Sequence, residues 1–294
     1  MDLGDTHGHN TSSDPHLPLP REAADRLRHA VRSVFAQHGV TVEARRDHLV
    51  DGTGRRFSLW NLASVCAMLD EQQWPDTITH HVGVLLSPAP SLSDLDDEQL
   101  AAALVLRLLP RDGLAPDAHP GAEQIAPGLV VVPAVQTEHE ILTPSERDLA
   151  LRGDLALLRA RAQRNLEALA GSAEVHHQEV VVDRPEHAVH VMVGESPFVA
   201  SLSLALETVL GRFGHADSGY GVLVATPYRH QLGYRVVDGP DSIGAVGHLA
   251  DLAAHGFSAA PGPLSPHVHW VHEGQWHPVA PDALPEPLVR AIAP

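Results

Sequence analysis

The stretch Gly221–Val279, GVLVATPYRHQLGYRVVDGPDSIGAVGHLADLAAHGFSAAPGPLSPHVHWVHEGQWHPV, decides the fold. Gly221–Ala225 and Gln231–Val237 are short apolar runs bounded by turn residues, and each reads as a strand. Ser242 can cap a helix that turns Ile243, Val246, Leu249 and Leu252 to one side. His267–Val271 and Gln275–Val279 then form a hairpin turned at Glu273-Gly274. The order is strand, strand, helix, hairpin.

The same unit recurs upstream. Val175–Val182 and His187–Val193 read as a strand pair. Ser196-Pro197 then opens a helix whose stripe is Phe198, Leu202, Ala205, Leu206, Val209 and Phe213. Further back, Leu129–Val135 and residues 138–142 read as strands. Thr143-Pro144-Ser145-Glu146 is a capping-box signature with Pro at the first helical position. Gly153 breaks that helix, and Asp154 caps another with Leu155, Leu158, Ala162, Leu166 and Leu169 on one face. The expected fold is therefore α+β: strand-strand-helix units forming an antiparallel sheet covered by helices and closed by a C-terminal hairpin.

The first third is less regular. Arg21–Gln37 has Ala24, Leu27, Val31, Val34 and Phe35 at helical spacing, with Gly39 past its end. Residues 40–57 read as a strand pair turned at Asp51-Gly52-Thr53-Gly54, and Ser58 can cap a helix running to about Asp70. A third helix is expected over 77–86. A fourth starts near Leu95, with Asp94, Asp96, Asp97 and Glu98 complementing the positive end of its dipole. That acidic run lacks the glycine and spacing of a calcium loop. The expected organisation is a disordered His/Asp/Pro-rich tail over 1–20, an N-terminal α+β region over 21–110 and a Pro/Gly-rich linker over 111–127. A C-terminal α+β domain over 128–280 and a tail over 281–294 complete it.

Composition excludes several chemistries. The 294 residues carry 20 basic and 37 acidic side chains, a formal net charge of −17. Such a surface repels the phosphate backbone, so no nucleic-acid partner is expected. No apolar run approaches the ~20 residues of a bilayer span, so no membrane partner is expected either. All basic residues are arginine, which excludes a P-loop lysine and a Schiff-base lysine. The single cysteine, Cys66, sits in the apolar run Leu59–Leu69 and reads as an inert core thiol. Met1–Asp5 carries neither the basic nor the hydrophobic part of a signal peptide, and a cytoplasmic location is the expectation.

The C-terminal half resembles the YtpQ-like bacterial family, a domain of unknown function. The matching stretches are Leu142–Gly153, Ala162–Leu166, Phe198–Ser201, Val224–Arg229, and Ser265-Pro266 followed by Glu273–Trp276. The resemblance spans about residues 125–280 and implies an α+β protein without assigned activity. It also implies an acidic residue where this chain has His230, beside an Arg229 that agrees with the family. Arg229 and His230 are therefore candidate binding residues.

The 22 histidines raise the question of metal. His7, His9 and His16 near Asp5 and Asp14 could chelate weakly from a flexible tail. His267 and His269 alternate on one strand face and supply half of a zinc site. His272, Glu273 and His277 have the wrong spacing for the zinc-protease motif. His80-His81, His176-His177, His187 and His190 read as ordinary surface or core residues. Gly194-Glu195-Ser196-Pro197 lacks the second glycine of a nucleophile elbow, and Ser196 reads as a helix cap. With no catalytic constellation visible, the first expectation is a non-enzymatic interaction protein with a protein partner and no resident cofactor. The alternatives are zinc binding or metal-dependent hydrolysis through the C-terminal histidines, and small-molecule sensing.

Overall fold

The computed structural model describes residues 13–87, 91–114, 119–137, 140–215 and 219–293. The chain divides into two compact units, Met1–Pro88 with Ala259–Pro261, and Ala89–Ser258 with Gly262–Pro294.

In the first unit, α1 (Arg21–Gln37) has the bounds its periodicity predicts and buries Ala24, Leu27, Val31, Val34 and Phe35. Strands β1 (Val42–Ala44), β2 (His48–Asp51) and β3 (Arg56–Ser58) form a three-stranded antiparallel sheet. The expected pair gains a strand because the chain turns twice between Val42 and Ser58. Helices α2 (Trp60–Ala67) and α3 (Trp74–Leu86) close this core. Phe35 packs on Phe57 with ring centroids 4.9 Å apart. Cys66 is buried, and burial pushes its thiol up to about 11, which keeps it protonated and inert.

Residues 13–20 do not behave as the expected tail. Leu17 and Leu19 are buried in the core of the first unit. Asp14 accepts from the backbone N–H of His16 and Leu17 and pairs with Arg28 at 3.0 Å. Two leucines and an ion pair are enough to dock a short segment against α1. His7 and His9 lie outside the described residues.

The second unit begins with α4 (Asp97–Ala103), capped by Asp96, and passes directly into β4 (Leu104–Pro110). The helix expected from about Leu95 ends at Ala103. Leu104–Pro110 instead pairs with Leu129–Val135. A strand apolar on both faces loses the period of two and cannot be told from a helix by pattern alone. Strands β5 (Glu123–Ala126), β6 (Leu129–Gln136) and β7 (Ile141–Leu142) complete this sheet. Part of the expected 111–127 linker is thus β5, and the boundary between units falls at Pro88/Ala89.

Next come α5 (Glu146–Ala150) and α6 (Leu155–Leu169). Ser145, not Thr143, caps α5; Asp154 caps α6 as expected. A six-stranded antiparallel sheet follows: β8 (Val175–Val180), β9 (Val189–Gly194), β10 (Val222–Ala225), β11 (Gln231–Val236), β12 (Val268–His272) and β13 (Gln275–Val279). Its order is β13-β12-β10-β11-β9-β8. The closing hairpin turns at Glu273 (φ 49°) and Gly274 (φ 74°), two successive positive-φ residues as a tight two-residue turn requires.

The registers define two faces. Met192, Leu232, Tyr234, Val222, Val224 and Val271 share one, packed with β4, β6, α6 and the 3-10 segment Ala200–Ala205 that leads into α7 (Leu206–Arg212). Val191, Leu223, Ala225, Val268 and Trp270 share the other, under α8 (Ala245–Ala259). The helix expected from Ser196 is partly 3-10 because buried Ser201 and Ser203 turn inward. Ser201 Oγ accepts from Leu108 N–H, and Ser203 Oγ donates to Ala200 C=O. The expected 281–294 tail contains α9 (Glu286–Ile292), whose Leu288 is buried in the second face's core. Among the described residues, no helix is long and apolar enough to cross a membrane.

Candidate metal centre

Strand register brings together histidines that lie far apart in sequence. His190 on β9 stands opposite Glu179 on β8 and opposite Tyr234 on β11. His177, two residues from Glu179, is therefore the diagonal neighbour of His190 on the same face. A third histidine arrives from beyond α7. Gly214 takes φ 74°, a conformation that favours glycine, and reverses the chain. The N–H of His215 then donates to Leu210 C=O at 2.9 Å. Phe213 stacks on His177 at 3.9 Å, and the His215 ring lies 4.2 Å from His190.

His177, His190 and His215 each offer a ring nitrogen, and these atoms lie within 4.8 Å of one another. His190 Nδ1 and His215 Nε2 are buried without a hydrogen-bond partner. An unsatisfied buried polar group costs about 1–3 kcal/mol, so two within one group of histidines call for a ligand or a role. The Tyr234 hydroxyl lies 3.0 Å from His177 Nε2.

Electrostatics favours neutral rings. Burial pushes His190 down to about 4, helped by neighbouring His215 and His177. Burial and then His215 also lower His177, with Glu179 opposing. Neutral imidazole is the form that ligates a metal ion.

A second group has different chemistry. Asp183 accepts from His187 Nδ1 through one oxygen and from His248 Nε2 through the other, both at 2.9 Å. Its carboxyl is held far below the usual carboxylate range, first by His248 and then by His187. The His187 ring lies over Gly244, where a Cβ would stand 2.2 Å from His187 Nε2. This group is closed by its own hydrogen bonds. Among the described residues these two are the groups of three with metal-ligand spacing.

The residues singled out from sequence fall elsewhere. His267 is exposed before β12, while His269 is buried, its Nδ1 unpartnered beside Trp276. Burial, with His267 adding to it, pushes His269 down to about 4. Neither belongs to a group of three. His16 lines an open cleft of about 1050 Å³ in the first unit, where Arg28 is taken by Asp14 and Asp25. Arg229 Nε donates to His230 Nε2 at 2.8 Å, and His230 Nδ1 lies 3.1 Å from Gly194 C=O.

His177 and His190, read as ordinary residues, thus converge with His215, and His187, read the same way, joins Asp183 and His248 in the other group. A signal was available: His177 and His190 fall on one face as diagonal neighbours of adjacent strands once the β8–β9 hairpin is registered. His215 carried none, because its position depends on the reversal at Gly214. No protein-family model matches the chain, and no curated protein or solved structure is detectably similar to it.

Proposed function

We propose that the protein binds a divalent transition metal, zinc by its ligand chemistry, through His177, His190 and His215. The observation that carries this reading is the convergence of three imidazoles, each offering a ring nitrogen within 4.8 Å of the others, in a group where His190 Nδ1 and His215 Nε2 are buried without a partner. Imidazole suits zinc, copper, iron and nickel, and an all-nitrogen set without carboxylate disfavours calcium and magnesium. Three protein ligands leave a fourth position for water or substrate, the arrangement of hydrolytic rather than purely structural zinc sites. Tyr234 stands beside it as a supporting hydroxyl that orients His177. An adaptor role would rest on the open edge of β8 and on exposed Leu151 and Leu157, neither of which specifies a partner.

Cobalt(II) is the direct probe, since its visible absorption reports nitrogen ligation in a low-symmetry site. One equivalent should develop an intense band in the wild-type chain and none in His177→Ala/His190→Ala/His215→Ala. A band of equal strength in that variant would sink the reading.

A further inference from the structure

The cleft of about 1050 Å³ in the first unit is walled by residues 14–16, α1, the β1–β2 turn and β3. Five of the chain's 20 arginines line it: Arg21, Arg28, Arg45, Arg46 and Arg56. Three aspartates line it too, which leaves a surplus of two positive charges with the histidines neutral. The surplus runs against a chain of net charge −17. A cleft dominated by one sign of charge concentrates ligands of the other.

Arg28 holds these walls together. It pairs with Asp14 at 3.0 Å and with Asp25 at 2.9 Å, and its Nε donates to Arg46 C=O at 3.0 Å. One guanidinium thus joins the docked segment, α1 and the β1–β2 turn. That turn is tight, with the N–H of Arg45 donating to His48 C=O at 2.8 Å. The carboxylates of the lining are engaged, Asp14 and Asp25 by Arg28 and Asp47 by His48 Nδ1 at 2.7 Å. Glu43 takes Arg45 at 2.6 Å. The cleft's own acids therefore leave Arg21, Arg46 and Arg56 to meet a ligand, and all three are exposed.

Arg21 opens α1, where a cation opposes the positive end of the helix dipole. Side chains that break a local rule in this way are expected where a site needs them. Planar guanidinium forks match phosphate oxygens through paired N–H donors. Three cations set on different walls suit an anion with several charged groups better than a single phosphate. The lining residues include no Phe, Tyr or Trp, so the cleft offers no platform on which a base would stack.

We propose that this cleft binds a small polyanion carrying several phosphate groups, held by Arg21, Arg46 and Arg56. The three converging histidines belong to the other unit, and the site does not depend on their metal. The test is titration calorimetry of the full chain, freed of metal, with inorganic triphosphate. The wild type should bind one equivalent, and sulfate at equal ionic strength should give no saturable heat. Affinity should fall about tenfold in each of Arg21→Gln, Arg46→Gln and Arg56→Gln. These side chains are exposed, so circular dichroism should match the wild type. Arg32→Gln, on α1 but outside the cleft, should bind as the wild type does. So should His177→Ala/His190→Ala/His215→Ala. No saturable heat, an equal response to sulfate, or undiminished affinity in the three cleft variants would each overturn the proposal. An equal loss in Arg32→Gln would reduce the effect to overall charge, and a loss with the histidines would move the anion to them; either would overturn it as well.

Discussion

The two histidine groups occupy opposite situations on one sheet. His177, His190 and His215 gather on the face packed against β4, β6 and α6, with no carboxylate among the three converging ligand groups and with two buried nitrogens unpartnered. His187 and His248 gather beside α8 around Asp183, which satisfies both. Both groups meet the same distance criterion for holding an ion. What separates them is the state of their lone pairs. An imidazole that already donates to a carboxylate is satisfied, and a metal would have to displace that bond. An imidazole buried without a partner carries an unmet cost that a cation can offset. Proximity of histidines is therefore weak evidence for metal, and unmet hydrogen-bonding capacity is the stronger evidence.

The comparison can be broken by mutation. His190→Ala should weaken zinc binding by about two to three orders of magnitude, because it removes one of three ligands. Asp183→Asn, assayed beside it by calorimetry, should change affinity less than threefold. Equal losses in both would erase the distinction.

Acid should sharpen it. The folded-state value of His190 is pushed below its ordinary 6.5 to about 4. A base depressed in the folded state favours folding above its unfolded value, and that contribution is lost as pH falls from about 6.5 towards 4. The loss amounts to roughly 2–3 kcal/mol over this window. His190→Phe should flatten this part of the stability-versus-pH profile measured in urea. A variant profile with the wild-type slope would show that His190 is not held neutral.

Smaller effects should follow at the edges of each group. Tyr234→Phe removes the partner of His177 Nε2 and should cost about 1 kcal/mol of stability in denaturant titration. Its zinc affinity should fall only severalfold. Asp183→Asn removes an exposed carboxylate and should shift the thermal midpoint at neutral pH by no more than a degree or two.

Much of the fold was readable because local and global signals agree there. The stripe of α1, the Asp154 cap and the Glu273-Gly274 turn each specify one local conformation, and the packing accepts it. Reading failed where burial overrode pattern. Leu104–Pro110 is apolar on both faces except at Arg107 and carries no period. Ser201 and Ser203 turn polar groups inward and tighten a predicted α-helix into 3-10. The candidate metal centre was less legible. Its histidines stand on β8, on β9 and after α7, so their meeting depends on register and on one chain reversal. His267 and His269 drew notice because alternation is visible in one dimension. The converging set is visible only in three.

Native mass spectrometry of the untagged full chain, reconstituted with one equivalent of zinc, tests the central claim most directly. The account predicts one bound ion in the wild type and in Asp183→Asn. It predicts none retained at the same concentration in His177→Ala/His190→Ala/His215→Ala, with circular dichroism confirming that this variant folds. An ion retained by the folded triple variant, or lost from Asp183→Asn alone, would contradict it.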